Sequence, residues 1–163
     1  MDNYTLTTGS IEPKRSTAKV LIIVGGILVL LLMAYGLHGC FTAVESAQNQ
    51  SRILVESLHI EMEQQDWSGI YANASEGYRK AIDEQKSTLY FLSIYKKLGV
   101  PDTTTLENTV ISATTNGSFI RSVFQTKFSK GGTGTETIVW REDSDGKYCL
   151  YNYDIQSFDL VTK

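Results

Sequence analysis

A long stretch near the start of the chain has no charged position and is apolar on every side of a helical projection. Residues 20–37 are 18 residues without a charge, and seven weakly polar residues follow before Glu45. At about 1.5 Å per residue, 18 helical residues reach about 27 Å, and the following residues complete a hydrocarbon core of about 30 Å. The pattern predicts a transmembrane helix over residues 20–44, after a polar tail formed by residues 1–19.

The charges on either side of this run predict its orientation. Lys14, Arg15 and Lys19 precede it, whereas the first basic residue after it is Arg52. Short cytoplasmic segments carry an excess of lysine and arginine. We therefore expect the tail in the cytoplasm, the helix in the cell (inner) membrane, and residues 45–163 as an extracytoplasmic domain, with the lipid bilayer as a partner.

A cleaved signal is the alternative to a permanent anchor. Residues 37–40, LHGC, are similar to a bacterial lipoprotein box, with a leucine three positions before the cysteine and a small residue just before it. That resemblance implies a signal ending at residue 39 and lipidation of Cys40. His38 stands where a small or apolar residue is usual, and the run exceeds the 7–15 residues typical of a signal core. The anchor is therefore the favoured interpretation.

Apolar side chains recur at helical spacing beyond this run. Leu54, Leu58 and Met62 stand at i, i+4 and i+8, which predicts an amphipathic helix from residue 42 to about 65. Asp66 is a capping residue for a short helix that runs to residue 72, and residues 76–82 predict one or two further turns.

A stronger helix comes next. Ser87 is the expected cap, and Phe91 and Ile94 begin its apolar stripe. Gly99 can take the left-handed conformation that ends a helix, and Pro101 prevents continuation.

After residue 101 the pattern changes to alternation with many β-branched and aromatic residues. Four strands are predicted, at residues 106–115, 118–129, 136–143 and 147–158. Asn116-Gly117 is a strong hairpin signal. In the last strand, strict alternation places Cys149, Tyr151, Tyr153 and Ile155 on one face. The order predicts an α+β fold in which helices cover one face of a four-stranded antiparallel meander.

Composition and charge exclude several functions. The chain is 42% hydrophobic and 20% charged with a net charge of −3, as in an ordinary globular protein. The acidic excess falls beyond residue 38, which argues against nucleic acid as a partner because phosphate binding needs a basic face. Two distant cysteines, Cys40 and Cys149, form neither a disulfide framework nor a metal cluster. With no phosphate-binding loop either, we expect no metal and no cofactor.

Three segments carry a resemblance to a known superfamily. They are MEQQDWSGIYANASEGYRKAI at residues 62–82, FLSIYKKLGVP at 91–101 and GTETIVWREDSDGKYCLYNYDI at 134–155. Together they resemble small bacterial members of the nuclear transport factor 2-like (cystatin-like) α+β roll. The resemblance implies helices packed into the concavity of a bent antiparallel sheet over residues 48–160.

The resemblance also implies candidate residues. Some enzymes of the superfamily use a histidine or aspartate inside the roll as a general base, which makes His59 a weak catalytic candidate. Tyr148, Tyr151 and Tyr153 of the last strand are candidate contacts for a ligand or a partner. The plainer alternative is that a curved sheet buries aromatic side chains on one face.

The sequence favours a non-enzymatic, membrane-tethered domain that binds a protein partner or a small ligand outside the cytoplasm. The topology is also similar to a bitopic scaffold subunit of type IV secretion systems. That resemblance implies the alternative of a structural subunit of an envelope or secretion assembly, with homo-oligomers formed in part through Gly25 and Gly26. A small lyase or isomerase that uses His59 is a third hypothesis.

Overall fold

The computed structural model describes residues 42–161. These residues belong to one compact unit that begins at Thr42. The predicted tail, Cys40 and all but the last three residues of the predicted membrane span lie outside the described residues. Within residues 42–161, no helix combines the length and the apolar character needed to cross a membrane.

Within residues 42–161, four helices precede the sheet and one short helix follows it. α1 is described from residue 42 and ends at residue 63. It is followed by α2 (Trp67–Asn73), α3 (Glu76–Ala81) and α4 (Glu84–Leu98), and α5 (Phe158–Val161) comes after the last strand. The predicted stripe of α1 is confirmed, because Leu58 and Met62 are buried in the core and Leu54 packs against it.

Of the two helix caps predicted from the sequence, one is confirmed and one is wrong. Asp66 accepts a hydrogen bond from the backbone N–H of Gly69, which confirms it as the cap of α2. Ser87 is not the cap of α4. The carboxylate of Asp83 accepts from the backbone N–H of Lys86 and starts the helix one turn earlier. The hydroxyl of Ser87 is buried and lies 2.9 Å from the hydroxyl of Tyr78.

The four strands form one antiparallel sheet in sequence order. They are β1 (Pro101–Thr114), β2 (Gly117–Phe128), β3 (Thr133–Glu142) and β4 (Tyr148–Gln156), with the order β1-β2-β3-β4. The α+β fold and the meander are thus confirmed. β1 begins at Pro101, five residues before its predicted start. Proline has no backbone N–H to donate, and this is tolerated at the first residue of an edge strand.

Helices and sheet share one core. Its largest fully buried side chains include Phe91 and Ile94 of α4, Phe124 of β2 and Ile138 of β3. Inner and outer positions alternate along β2 and β3, so one face of the sheet is buried beneath the helices. β1 differs, since none of its residues is fully buried.

A β-bulge changes the face of β4. Val139 pairs with Asn152 and Trp140 pairs with Leu150, so Tyr151 is the extra residue. Leu150 is therefore buried on the same face as Tyr153, and Tyr151 is 39% exposed. The expectation that Tyr151 and Tyr153 share a face was wrong because it assumed unbroken alternation.

Candidate functional site

Each strand contributes one polar side chain to a row across the helix-covered face of the sheet. The row consists of Thr104 on β1, Thr126 on β2, Glu136 on β3 and Tyr153 on β4. Thr126 and Glu136 have no solvent exposure, and Tyr153 is 6% exposed. We call these four residues the polar row. A buried carboxylate must be satisfied by hydrogen bonds or an opposite charge, and the row is built around that requirement.

Glu136 receives hydrogen bonds from both sides of its strand. The hydroxyl of Tyr153 donates to Oε1, and the hydroxyl of Thr126 donates to Oε2. The hydroxyl of Thr104 lies 3.2 Å from that of Thr126, which extends the row to the edge strand. The carboxylate thus acts as the common acceptor of side chains from two neighbouring strands.

His59 of α1 completes the coordination of this carboxylate. Its Nε2 lies 3.2 Å from both oxygens of Glu136, and its side chain is 12% exposed. Because a carboxylate only accepts, Nε2 carries a proton and donates it. In the neutral ring Nδ1 is then an acceptor. It lies 3.4 Å from the hydroxyl of Thr104, which donates its one proton to Thr126 because Thr126 donates its own to Glu136.

A second contact fixes the position of α1 over the sheet. The hydroxyl of Ser51 accepts a 2.7 Å hydrogen bond from Ser122 of β2, and both side chains are fully buried. Ser51 is two helical turns before His59. Two buried polar contacts along one helix fix its register and hold the imidazole against Glu136.

The environment shifts the pKa values of the row in opposite directions. Burial alone would raise the pKa of Glu136, but the hydrogen bond and charge of His59, with the hydroxyls of Thr126 and Tyr153, lower it overall. Complete burial, followed by the charge of Glu136, raises the pKa of Tyr153 well above its ordinary value. Glu136 is therefore the ionised acceptor and Tyr153 the neutral donor at physiological pH.

A cleft opens beside His59, between α1 and the first half of β1. Its volume is about 340 Å³. His59 and Thr104 form part of its lining, and Val55, Leu106 and Phe124 supply apolar surface. The pairing of β1 with β2 is interrupted between Leu106 and Asn108. Such a bulge bends the edge strand, which can hold it away from the helix.

Acidic side chains predominate among the charged groups of the cleft. These groups are Arg52, Glu56 and Glu63 of α1 and Asp102 of β1. Three carboxylates and one guanidinium disfavour an anionic ligand and favour a neutral or cationic one.

The cleft can bind a ligand, and the imidazole of His59 can exchange a proton with it. An imidazole with a carboxylate behind one nitrogen and a cleft beside it has the geometry of a general base, since the carboxylate stabilises the imidazolium that forms. Among the residues that the structure describes, no group of three or more His, Cys, Asp or Glu side chains is placed to hold a metal ion.

The three candidate tyrosines do not meet in one groove. Tyr153 is in the core and donates to Glu136. Tyr151 packs edge-on against Phe119 with ring centroids 5.3 Å apart. Tyr148 is half-buried and lines a different cavity. His59, the weak candidate of the sequence, is the one that the structure places at a cleft with a carboxylate.

Sequence reasoning missed Glu136, although a signal was present. In β3, Glu136 has the same parity as Ile138 and Trp140, both buried. A charged residue at an inward position of an alternating strand must be paired or hydrogen-bonded in the core, which makes it a candidate for a buried polar site. Thr126, between the buried Phe124 and Phe128 on β2, carries the same signal.

Comparison with solved structures gives distant likenesses. No protein-family model matches the chain. No curated protein matches it significantly. The chain is similar to Bd1075 of Bdellovibrio bacteriovorus, with 18% identity and a TM-score of 0.45, over 68% of this chain and 41% of that one. It is also similar to ActVI-ORFA of Streptomyces coelicolor, with 12% identity and a TM-score of 0.44, over 68% of this chain and 94% of that one.

Proposed function

We propose that the domain is a nuclear transport factor 2-like roll that binds a small neutral or cationic molecule in the cleft between α1 and β1, with His59 as the contacting polar group. The observation that carries the proposal is the 3.2 Å pairing of His59 Nε2 with the buried carboxylate of Glu136 beside that cleft. The architecture supports the roll, since helices cover one face of a four-stranded antiparallel sheet.

The position of His59 supports a ligand contact over a purely structural role. A histidine that only stabilises the core would have both ring nitrogens satisfied inside it. Here Nε2 is held by Glu136, whereas the contact of Nδ1 with Thr104 is long, at 3.4 Å, and both residues line the cleft. Thr104 donates its one proton to Thr126, whose own proton goes to Glu136, so Nδ1 keeps its capacity as an acceptor.

A lyase or isomerase activity is the second candidate, favoured by the same pairing. Nδ1 would accept a proton from a bound substrate, and Glu136 would stabilise the imidazolium. In an isomerisation the proton returns to another atom of the same molecule, so the step needs no co-reactant. The cleft's volume of about 340 Å³ is in the range of small-molecule sites.

The membrane tether remains part of the proposal. The uncharged run at residues 20–37 and the basic residues before it support an anchor with this domain on the extracytoplasmic side. An intact mass of the protein from its own host would separate the alternatives. The full-length mass supports the anchor, whereas loss of 39 residues with added acyl mass supports a lipoprotein.

Location and assembly have their own tests. Protease added to intact spheroplasts should digest the domain, and protection until lysis would contradict the extracytoplasmic location. Crosslinking in native membranes that gives discrete higher-mass bands would support the structural-subunit alternative over a monomeric binding domain.

Two exposed isoleucines of α1 provide a matched test of the cleft. Ile60 lines it and is 46% exposed, whereas Ile53 is 62% exposed and is not on its lining. A library of neutral and cationic fragments should contain binders to the full-length protein by ligand-observed NMR. Ile60→Trp should weaken their binding, and Ile53→Trp should not. Equal effects of the two substitutions, or no binders at all, would refute the proposal.

The fragments that bind to the cleft also distinguish a binding function from a catalytic one. If His59 is a base, a bound molecule with an acidic C–H should exchange it for deuterium in D₂O, and His59→Gln should abolish that exchange while leaving some binding. Binding without any exchange would support the non-enzymatic function.

A further inference from the structure

The protons of the polar row are all directed toward Glu136. A carboxylate has no proton to give, so Thr126, Tyr153 and Nε2 of His59 each donate to it. A hydroxyl has one proton, and that of Thr126 is used on Glu136. Thr126 is therefore the acceptor at its 3.2 Å contact with Thr104, whose proton is used there. One buried carboxylate thus fixes the direction of the hydrogen bonds along the row.

This order leaves two acceptors next to each other at the cleft. Nδ1 of the neutral His59 ring lies 3.4 Å from the hydroxyl oxygen of Thr104, and neither residue has a proton left to place between them. Both residues line the cleft beside α1. Two lone pairs in contact repel each other, and a partly buried acceptor without a donor is costly. We call these two atoms the paired acceptors.

The spacing of the paired acceptors suits one nitrogen that carries at least two protons. A hydrogen bond from nitrogen is about 2.9 Å long, so a single nitrogen can reach two acceptors that are 3.4 Å apart and direct one N–H at each. An alcohol has one hydroxyl proton and satisfies only one of them. Water meets the same need as an amine, so water is the competitor that a ligand has to displace.

The charged residues next to the paired acceptors along the chain are acidic. Glu63 is one helical turn after His59 on α1, and Asp102 is two residues before Thr104 on β1. Both are exposed and line the cleft. Arg52, the basic residue of the lining, is two turns before His59, about 10 Å along the helix. Charge therefore favours a cation at the paired acceptors and disfavours an anion.

We propose that the ligand of the cleft is a primary amine or an amidine with an apolar body, whose cationic nitrogen donates to both Nδ1 of His59 and the hydroxyl oxygen of Thr104. The apolar body lies against Val55, Leu106 and Phe124. This inference rests on the proposed function, since it names the chemical class that the same cleft accepts. Molecules whose polar groups only accept, such as ethers and ketones, are disfavoured because they would leave the paired acceptors without donors.

Two cationic probes with the same aromatic ring separate hydrogen bonding from charge. Benzylamine carries N–H donors, whereas benzyltrimethylammonium has the same charge and no N–H. At about pH 8 an imidazole is ordinarily neutral and an alkylammonium is still charged. Titrations of the full-length protein by ligand-observed NMR should show benzylamine bound about tenfold more tightly, the effect of a hydrogen bond to a charged group. Ile60→Trp should weaken the binding of benzylamine, which places the probe in the cleft.

Thr104→Val separates hydrogen bonding from size, because the trimethyl group is the larger one. Valine keeps the shape of threonine without the hydroxyl oxygen, so the affinity for benzylamine should fall about tenfold and the preference between the probes should narrow. A preference that came from size alone would stay. Thr105→Val, at an exposed position of β1 outside the lining, is the control and should leave the preference unchanged.

A second pair of substitutions tests the charge. Glu63→Gln removes one carboxylate from the lining and should weaken the binding of both probes. Glu45→Gln, at an exposed position of α1 outside the lining, should weaken the binding of neither.

Three results would overturn this inference and leave the cleft as a binding site. Benzyltrimethylammonium could bind as tightly as benzylamine, with both sensitive to Ile60→Trp, which would show a cation held by charge alone. The preference for benzylamine could persist unchanged in Thr104→Val, which would show that the N–H groups do not reach the paired acceptors. Benzylamine could fail to bind while other fragments bind with the same sensitivity to Ile60→Trp. The absence of any binder in the cleft would refute the proposed function together with this inference.

Discussion

The Nε2 of His59 lies 3.2 Å from both carboxylate oxygens of Glu136, across 77 positions of sequence. One residue belongs to α1 and the other to β3, so the pair connects the helical layer to the middle of the sheet. Since the carboxylate is fully buried and the imidazole lines a cleft, the same contact stabilises the fold and orients the imidazole.

Replacement of Glu136 by glutamine should destabilise the domain by ~3 kcal/mol. The amide would direct two N–H donors at a site where Thr126, Tyr153 and His59 already donate, and at least one buried donor would lose its acceptor. Urea unfolding should show a lower midpoint with an unchanged slope. Glu107→Gln, at an exposed position of β1, is the control and should change stability by less than ~0.5 kcal/mol. Equal effects would show that the polar row does not stabilise the fold.

The stability that Glu136 contributes should depend on pH. Its pKa is lowered in the folded state, so the contribution is fully present above the ordinary value of 4.5 and is lost as pH falls through the folded value. The difference in unfolding free energy between wild type and Glu136→Gln should shrink as pH falls below 4.5. A difference that grows below pH 4.5 would mean that the folded pKa is raised instead.

Tyr153→Phe should cost about 1–2 kcal/mol, since it removes the hydroxyl that donates to Glu136 and leaves the ring in place. Tyr151→Phe is a matched control two residues away, on the exposed side of the bulge, and should change stability by less than ~0.5 kcal/mol. Chemical denaturation of both variants gives the comparison. A larger loss in Tyr151→Phe would contradict the assignment of Tyr153 to the polar row.

Local signals predicted the order of the elements well. The change from helical spacing to alternation near residue 101, the Asn116-Gly117 turn and the alternation of β2 each depend on residues close in sequence. The predicted start of α4 was one turn too late because Asp83 and Ser87 are both residue types that cap helices. Asp83 is the cap, whereas the hydroxyl of Ser87 is hydrogen-bonded to that of Tyr78, a contact that the local sequence does not indicate.

The site was harder to predict because its contacts are not local. His59 could be named from its residue type, but its carboxylate partner lies on a strand whose position over α1 depends on the whole fold. The expectation of a shared face on β4 was wrong for another reason. A single bulge beside Val139 and Trp140 moves Tyr151 to the opposite face, and no local signal in β4 indicates it.

Gly99 ends α4 in a conformation that other residues rarely adopt, with φ of 87° and ψ of −157°. A Cβ at this position would also lie 2.2 Å from the hydroxyl of Ser129. Gly99→Ala should therefore destabilise the domain by about 3 kcal/mol. Gly131 is a control without the steric contact, because its φ is also positive, at 91°, and a Cβ there would have no neighbour within 4 Å. Gly131→Ala should cost only the backbone strain, about 1 kcal/mol. Thermal unfolding of both variants measures the difference, and equal losses would show that the contact with Ser129 contributes nothing.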